Sequence, residues 1–349
     1  MPHDHAPAPS GVVPLVEVTR GRIVESRHFG VAAVVDAGGH VVAAWGDVEQ
    51  PVYPRSSIKM IQALPMLETG AADAFALTDA EVAIACASHS GSDAHLAVVA
   101  GMLGRIGLDE QALACGPRRP GDEREQAALA RAGAAPRRIH NCCSGKHAGM
   151  LLTARHIGAP TDGYQRPDHP VQQRVVGAME QMTGLDLFAA PRSADGCSLP
   201  IWALPLGNLA LAMARIADPH DQPDRRQQAI TRLWQAQAAA PEMVDGAGGF
   251  VTETIRLAAG GILVKNGAEG VQVGVIRAAG LGLAVKVADG ADRAAQVAMA
   301  ALLLRFAEPG GALRDHLERA AGPAVKTFAG EAVGEIRPAP DWLAGGVSA

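Results

Sequence analysis

The sequence predicts an α/β (α+β) fold, an antiparallel sheet flanked by helices. Two observations carry this: valine-rich strand patterns gather near both ends of the chain, and the long stretch between them has mainly helical periodicity. Neither short set of strands can bury its apolar face alone, so the two are expected to share one sheet. A third observation bounds the class. The 349 residues are 48% apolar and 19% charged, which supplies a core and excludes a disordered or fibrous chain. The expectation is a single domain over residues 1–349, β-rich around 12–45 and 262–287 and helical over 57–258.

In chain order, strands are predicted at Val12–Val18, Val31–Asp36 and His40–Trp45, the last two joined by the turn signal Ala37-Gly38-Gly39. A helix at Ile58–Glu68 ends before Gly70. Thr78-Asp79-Ala80-Glu81 is a capping box opening the next, and Ala94–Arg105 stops at Gly107. The charged, Pro/Gly-rich stretch Pro117–Arg138 is read as a surface excursion. Further helices are expected at Lys146–His156, Val171–Thr183, Leu206–Ile216, Arg226–Ala239 and Phe250–Ala258. Strands return at Ile262–Lys265, Val271–Arg277 and Leu281–Val287, with Asn266-Gly267 as a hairpin signal, before a final helix at Ala291–Phe306. The chain after Arg337 is expected to be loosely held.

A formal net charge of −5 and only four Trp, two Tyr and six Phe argue against a nucleic-acid surface. No run approaches the roughly 18 to 20 apolar residues of a membrane helix. MPHDHAPAPSG lacks the basic and apolar regions of a signal peptide, so a cytoplasmic protein is expected. Five cysteines in a chain of this length suit reduced thiols or metal ligands better than a disulfide framework.

Lysine is scarce: Lys59, Lys146, Lys265, Lys286 and Lys326 are the five, and the first three sit in the apolar or Gly-rich settings SSIKM, SGKHAG and ILVKNG. A desolvated ammonium can lose its proton whereas guanidinium does not, so these are candidate bases. Ser56 and Lys59 form S-x-x-K at a predicted helix start, where i and i+3 share a face and the amine can reach the hydroxyl. To act near neutral pH the lysine would have to fall from about 10.4, at about 4 kcal/mol, which burial can supply. The alternative is a solvated helix start.

Cys86-Ala87-Ser88-His89-Ser90-Gly91 offers Ser88 as a second nucleophile or proton carrier, or is simply a helix end followed by a Ser/Gly turn. His140-Asn141-Cys142-Cys143-Ser144-Gly145-Lys146-His147 is dense in metal-ligating groups, with Cys197 of Asp195-Gly196-Cys197-Ser198 as a distant partner. The alternative is buried free thiols, which pack well as small hydrophobes. Lys265-Asn266-Gly267 places an amine at a strand end, where it is either a turn lysine or, facing the helix of Ser56, a cation that polarises the site.

In combination, PRSSIK, ASHSG, NCCSGKHAGM, DGCSLP and VKNGAEGV, in this order from Pro54 to Val271, resemble the rhizobial-type, or class 3, L-asparaginases. The resemblance implies an architecture similar to the serine β-lactamase/glutaminase fold, a single catalytic domain, a homodimer, and hydrolysis of L-asparagine to L-aspartate and ammonia. It implies two Ser–Lys pairs, Ser56 with Lys59 and Ser88 with Lys265, and a zinc site of Cys143, Lys146 and Cys197. Arg55 and Asp195 would meet the substrate's α-carboxylate and α-ammonium. Two departures stand out: Cys142 directly before Cys143, and Val251 after Gly249-Phe250, near which relatives place a further cysteine. A broader Ser/Lys amidase or glutaminase and a noncatalytic zinc-binding protein are the competing readings.

Overall fold

The computed structural model describes residues 10–343, so the leader reading of the first nine residues lies outside it. The chain divides into two compact units, Met1–Val52 with Leu204–Asp218 and Asn266–Ala349, and Tyr53–Ala203 with Pro219–Lys265.

The first unit is built on an antiparallel sheet in which Val13–Arg20, Ile23–Asp36, Leu281–Val287 and Val271–Ile276 lie side by side, with Val41–Trp45 paired to the second. The predicted strands are present, and Ile23–Asp36 begins eight residues earlier than the valine run suggested. Its first half, IVESRHFG, alternates too weakly in polarity to register as a strand. Helix Leu206–Ala217 approaches one face so closely that a Cβ on Gly282 would lie 2.1 Å from the Ala210 carbonyl oxygen. On the other face Gly274, which is paired with Leu283, meets Met299 of helix Asp292–Ala307. Successive residues Gly282 and Leu283 therefore face opposite helices, which explains why Leu281–Val287 reads LGLAVKV, an almost unbroken apolar run.

Two sequence expectations are corrected in this unit. Asn266-Gly267 is not the hairpin turn: strand Ile262–Gly267 runs through both, and the reversal falls at Glu269 and Gly270, with φ of 61° and 67°. The left-handed pair is supplied three residues later than the dipeptide signal placed it. Beyond Arg337 the chain is also held as far as it is described, and residues 344–349 lie outside that range: Ala332–Pro338 pairs with Val13–Arg20, and Trp342, 5% exposed, packs edge-on against Trp45.

The second unit is helical. Lys59–Glu68, Asp79–Ala85, Asp93–Gly104, Ser144–His156, Pro170–Thr183, Asp224–Ala239 and Phe250–Leu257 match the predicted helices to within a few residues. The Thr78 capping box forms, its hydroxyl accepting from Glu81 N while the Glu81 carboxylate accepts from Thr78 N. The excursion at 117–138 contains a helix, Glu123–Arg131, with no buried residue, so apolar periodicity could not announce it. Ser144–His156 is buried along most of its length, and a Cβ on Gly145 would come within 2.4 Å of the Ile84 carbonyl. That close approach sets Cys143, Ser144 and Lys146 against the end of helix Asp79–Ala85.

Candidate active site

All nine residues singled out in the sequence lie in the second unit. Three elements deliver the first group. Lys59 opens helix Lys59–Glu68, Ser88 follows the turn that ends Asp79–Ala85, and Lys265 stands in strand Ile262–Gly267. Both lysines are fully buried, and Ser88 is half-buried. Lys265 Nζ lies 2.8 Å and Lys59 Nζ 3.0 Å from Ser88 Oγ, and Lys59 also donates to the Ala87 carbonyl at 2.5 Å. One hydroxyl thus stands between two amines.

The Ser56–Lys59 contact expected from S-x-x-K is replaced. The Lys59 backbone N–H donates to the Ser56 carbonyl, but among the described residues no side-chain hydrogen bond joins the two, because the Lys59 amine turns into the interior and takes its acceptors from residues 87 and 88. Ser56 remains half-buried at the 3-10 turn Arg55–Ile58, while its neighbour Ser57 is buried and donates to the Pro54 carbonyl at 2.6 Å. The turn opens with Arg55 at φ 53°, a left-handed conformation that costs a residue with a Cβ about 1 kcal/mol or more.

Burial drives the electrostatics. Desolvation, reinforced by the charge of Lys59, lowers Lys265 to about 7. Burial pushes the nearby Cys86 thiol up to about 12, against the pull of both lysines. His89, next to Ser88, is pushed well below the ordinary imidazole range by burial and by repulsion from His95 and Lys59; its ring stacks on His95 at 5.0 Å and its Nε2 meets Ser144 Oγ at 2.8 Å.

The second group is shaped by the tight loop between strands Arg192–Ala194 and Pro200–Trp202. Its backbone closes through Ser198 N to Asp195 O at 2.8 Å, with Ser198 left-handed at φ 71°. Arg55 Nε donates to Asp195 Oδ1 at 2.7 Å in a part-buried ion pair. Burial raises the Asp195 carboxyl, but Lys146 and Arg55 outweigh it and the net shift is downward. The Cys197 thiol lies 3.4 Å from Asp195 Oδ2, and Lys146 Nζ lies 3.3 Å from Cys197 Sγ. Hydrogen bonds from the Cys142 and Cys197 thiols, helped by the Lys59 and Lys146 charges, hold Cys143 well below the ordinary thiol range. Cys142, 3.9 Å from Cys143 Sγ, takes a hydrogen bond from Arg118 at 2.9 Å.

Cys143, Lys146 and Cys197 therefore converge as two thiols and an amine. Among the described residues no three His, Cys, Asp or Glu side chains form a metal-holding group, so a metal here would need the lysine as its third ligand. The soft donor set fits zinc.

The sequence assigned no role of their own to two members of this region, His147, named only within the Cys-rich stretch, and Asp245. His147 donates or accepts at Tyr164 Oη, 2.6 Å away, and burial lowers it to about 3. Asp245 is tied to the serine turn through its backbone, Ser90 N donating to Asp245 O at 2.7 Å. Its only sequence signal was a lone acid in the Gly-rich run Val244-Asp245-Gly246-Ala247-Gly248-Gly249.

The family model described as L-asparaginase II matches residues 16–338. No curated protein matches. Among solved structures, a β-lactamase from Mycobacterium bovis is 15% identical, covering 79% of this chain and 94% of that one at a TM-score of 0.39. A protein described as Mglu in its native form is 12% identical, covering 80% and 64% at 0.43. A D-alanine carboxypeptidase AmpC from Burkholderia cenocepacia is 14% identical, covering 78% and 93% at 0.37.

Proposed function

The chain belongs to the L-asparaginase II family, the rhizobial-type class, and on that premise we propose that it is an amidohydrolase that cleaves the side-chain amide of L-asparagine to L-aspartate and ammonia through a serine–lysine nucleophile. The observation that carries the reading is the Ser88 hydroxyl between two buried lysine amines.

Lys265 is the general base. Its free amine near neutral pH accepts the Ser88 proton as Oγ attacks the amide carbon, and the same proton passes to the leaving nitrogen. Ammonia departs, and water cleaves the acyl-enzyme by the reverse use of the same pair. Lys59, anchored on the Ala87 carbonyl, contributes a fixed positive charge that keeps Lys265 free and stabilises the developing oxyanion. Ser56, on the turn before Lys59, is the other serine of the catalytic set.

The Arg55–Asp195 pair receives the amino-acid end of the substrate, guanidinium toward the α-carboxylate and carboxylate toward the α-ammonium. Cys143, Lys146 and Cys197 would hold zinc, with Lys146 a neutral amine when the metal is bound. Zinc there would order the loop that carries Asp195 and add a local positive charge. The protein is read as a cytoplasmic homodimer, and among the described residues no helix is long and apolar enough to cross a membrane.

The test is ammonia release from L-asparagine and L-glutamine, with and without zinc. Release from L-asparagine well above that from L-glutamine is expected. Equal rates would make the protein a broader Ser/Lys amidase, and no release from either would remove the reading.

A further inference from the structure

Asp245 is a carboxylate beside the serine turn that the mechanism leaves unused. It sits on the loop between the 3-10 turn Pro241–Met243 and helix Phe250–Leu257. Two backbone hydrogen bonds stitch that loop to the serine turn, Ser88 N to Val244 O at 3.0 Å and Ser90 N to Asp245 O at 2.7 Å. Two glycines make the fit possible. A Cβ on Gly246, whose φ is 152°, would lie 2.6 Å from Ser90 Oγ, and one on Gly249 would lie 2.3 Å from Asp245 Oδ2. The loop is thus shaped around the carboxylate.

Among the described residues the Asp245 side chain forms no hydrogen bond or ion pair, although it is only half-exposed; burial raises its carboxyl above the ordinary carboxylate range, against the opposing influence of nearby Lys265 and His95. An unpaired carboxylate in a part-buried place is costly unless a ligand completes it. The ligand must offer N–H groups, and the reaction supplies them beside Ser88 at the amide nitrogen.

Resting on the amidohydrolase reading, we infer that Asp245 is the residue that selects amide over acid: its carboxylate accepts a hydrogen bond from the substrate's carboxamide NH2 and repels the carboxylate that replaces it in the product. Asp245 gives and takes no proton in this scheme. The Ser88 Oγ–C bond forms, the C–N bond breaks, the proton held by Lys265 goes to nitrogen, and the departing ammonia leaves the carboxylate unpaired again. When water has released the acyl group, the new product carboxylate meets like charge, which favours its exit.

The measurement is inhibition by L-aspartate. In Asp245→Asn, whose amide can donate to a carboxylate, L-aspartate should inhibit at least tenfold more tightly than in the wild type, and kcat/KM for L-asparagine should fall at least tenfold. Asp245→Ser, which is smaller and neutral, should show the same direction. Unchanged inhibition in a folded variant would overturn the inference. So would a variant whose only change is a displaced pH–rate profile, since Asp245 would then act solely through Lys265. Should neither variant fold, calorimetry on Ser88→Ala decides: at least tenfold tighter binding of L-asparagine than of L-aspartate supports the inference, and equal binding overturns it. A wild type that releases no ammonia from L-asparagine would instead remove the amidohydrolase reading and this inference with it.

Discussion

Lys59 and Lys265 converge on one oxygen, so removing either does more than delete a positive charge. Because Lys265 titrates at about 7 and acts as the free amine, kcat/KM should be low at acid pH and rise through about pH 7. Lys265→Met should lose about 10²- to 10⁴-fold in kcat and that pH dependence with it. Lys59→Met should also abolish most turnover without unfolding the protein, and any residual activity should show its midpoint displaced upward, because the charge that helps keep Lys265 free is gone. A Lys59→Met enzyme with a near-normal rate would remove that lysine from the mechanism. Stability offers a second check with a fixed sign. Lys265 binds its proton less readily in the folded chain, at about 7, than in the unfolded chain, at about 10.4. The unfolded state therefore carries the extra proton between those values, and the wild type should gain stability as pH rises from 7 toward 10, by up to about 4 kcal/mol. Denaturation of Lys265→Met over the same range should show a flatter profile.

At the scale of elements, the site depends on close backbone approaches. Gly145→Ala would drive a Cβ to within 2.4 Å of the Ile84 carbonyl, so helix Ser144–His156 must shift or bend. The expected cost is about 1–3 kcal/mol, with a larger loss of activity than that destabilisation explains, read as Tm against kcat. Thr78→Ala, which removes a cap but touches no site residue, should cost about 1 kcal/mol and leave kcat unchanged. These contrasts also mark what was legible in the sequence. Thr78-Asp79-Ala80-Glu81 announced its helix through local chemistry, and the valine runs announced the sheet through period. Helix Glu123–Arg131 has no buried face, and the half-strand Ile23–Gly30 alternates weakly, so neither had a periodic signal to read. Asn266-Gly267 carried the right turn chemistry, but pairing within the strand continued through it and Glu269-Gly270 took the left-handed positions. The site divided in the same way. Ser56, Lys59 and Ser88 were visible as types, whereas the exchange that gives Lys59 to Ser88 arises from a buried rotamer and a carbonyl from a different helix end. Asp245 reaches the serine turn only through backbone bonds across more than 150 residues of chain, which no local spacing encodes.

For the molecule as a whole, a hydrolytic centre is joined to a cluster of two thiols and an amine, one of which, Cys197, lies two residues from Asp195. Purified protein should contain zinc in proportion to chain. Cys143→Ser and Cys197→Ser should each lower it several-fold by elemental analysis, and full retention in both would place any metal elsewhere. Sedimentation should give twice the 35.9 kDa chain mass if the homodimer reading holds, and a monomer at working concentration would contradict it.

The central claim is that Ser88, with an amine lowered by burial at its side, forms the covalent bond to substrate. Rapid acid quenching during turnover of L-asparagine, followed by peptide mass spectrometry, tests it directly. The account predicts an aspartyl ester on the peptide containing Ser88; an ester on Ser56 alone, or no ester on any serine under conditions where ammonia is being released, would contradict it.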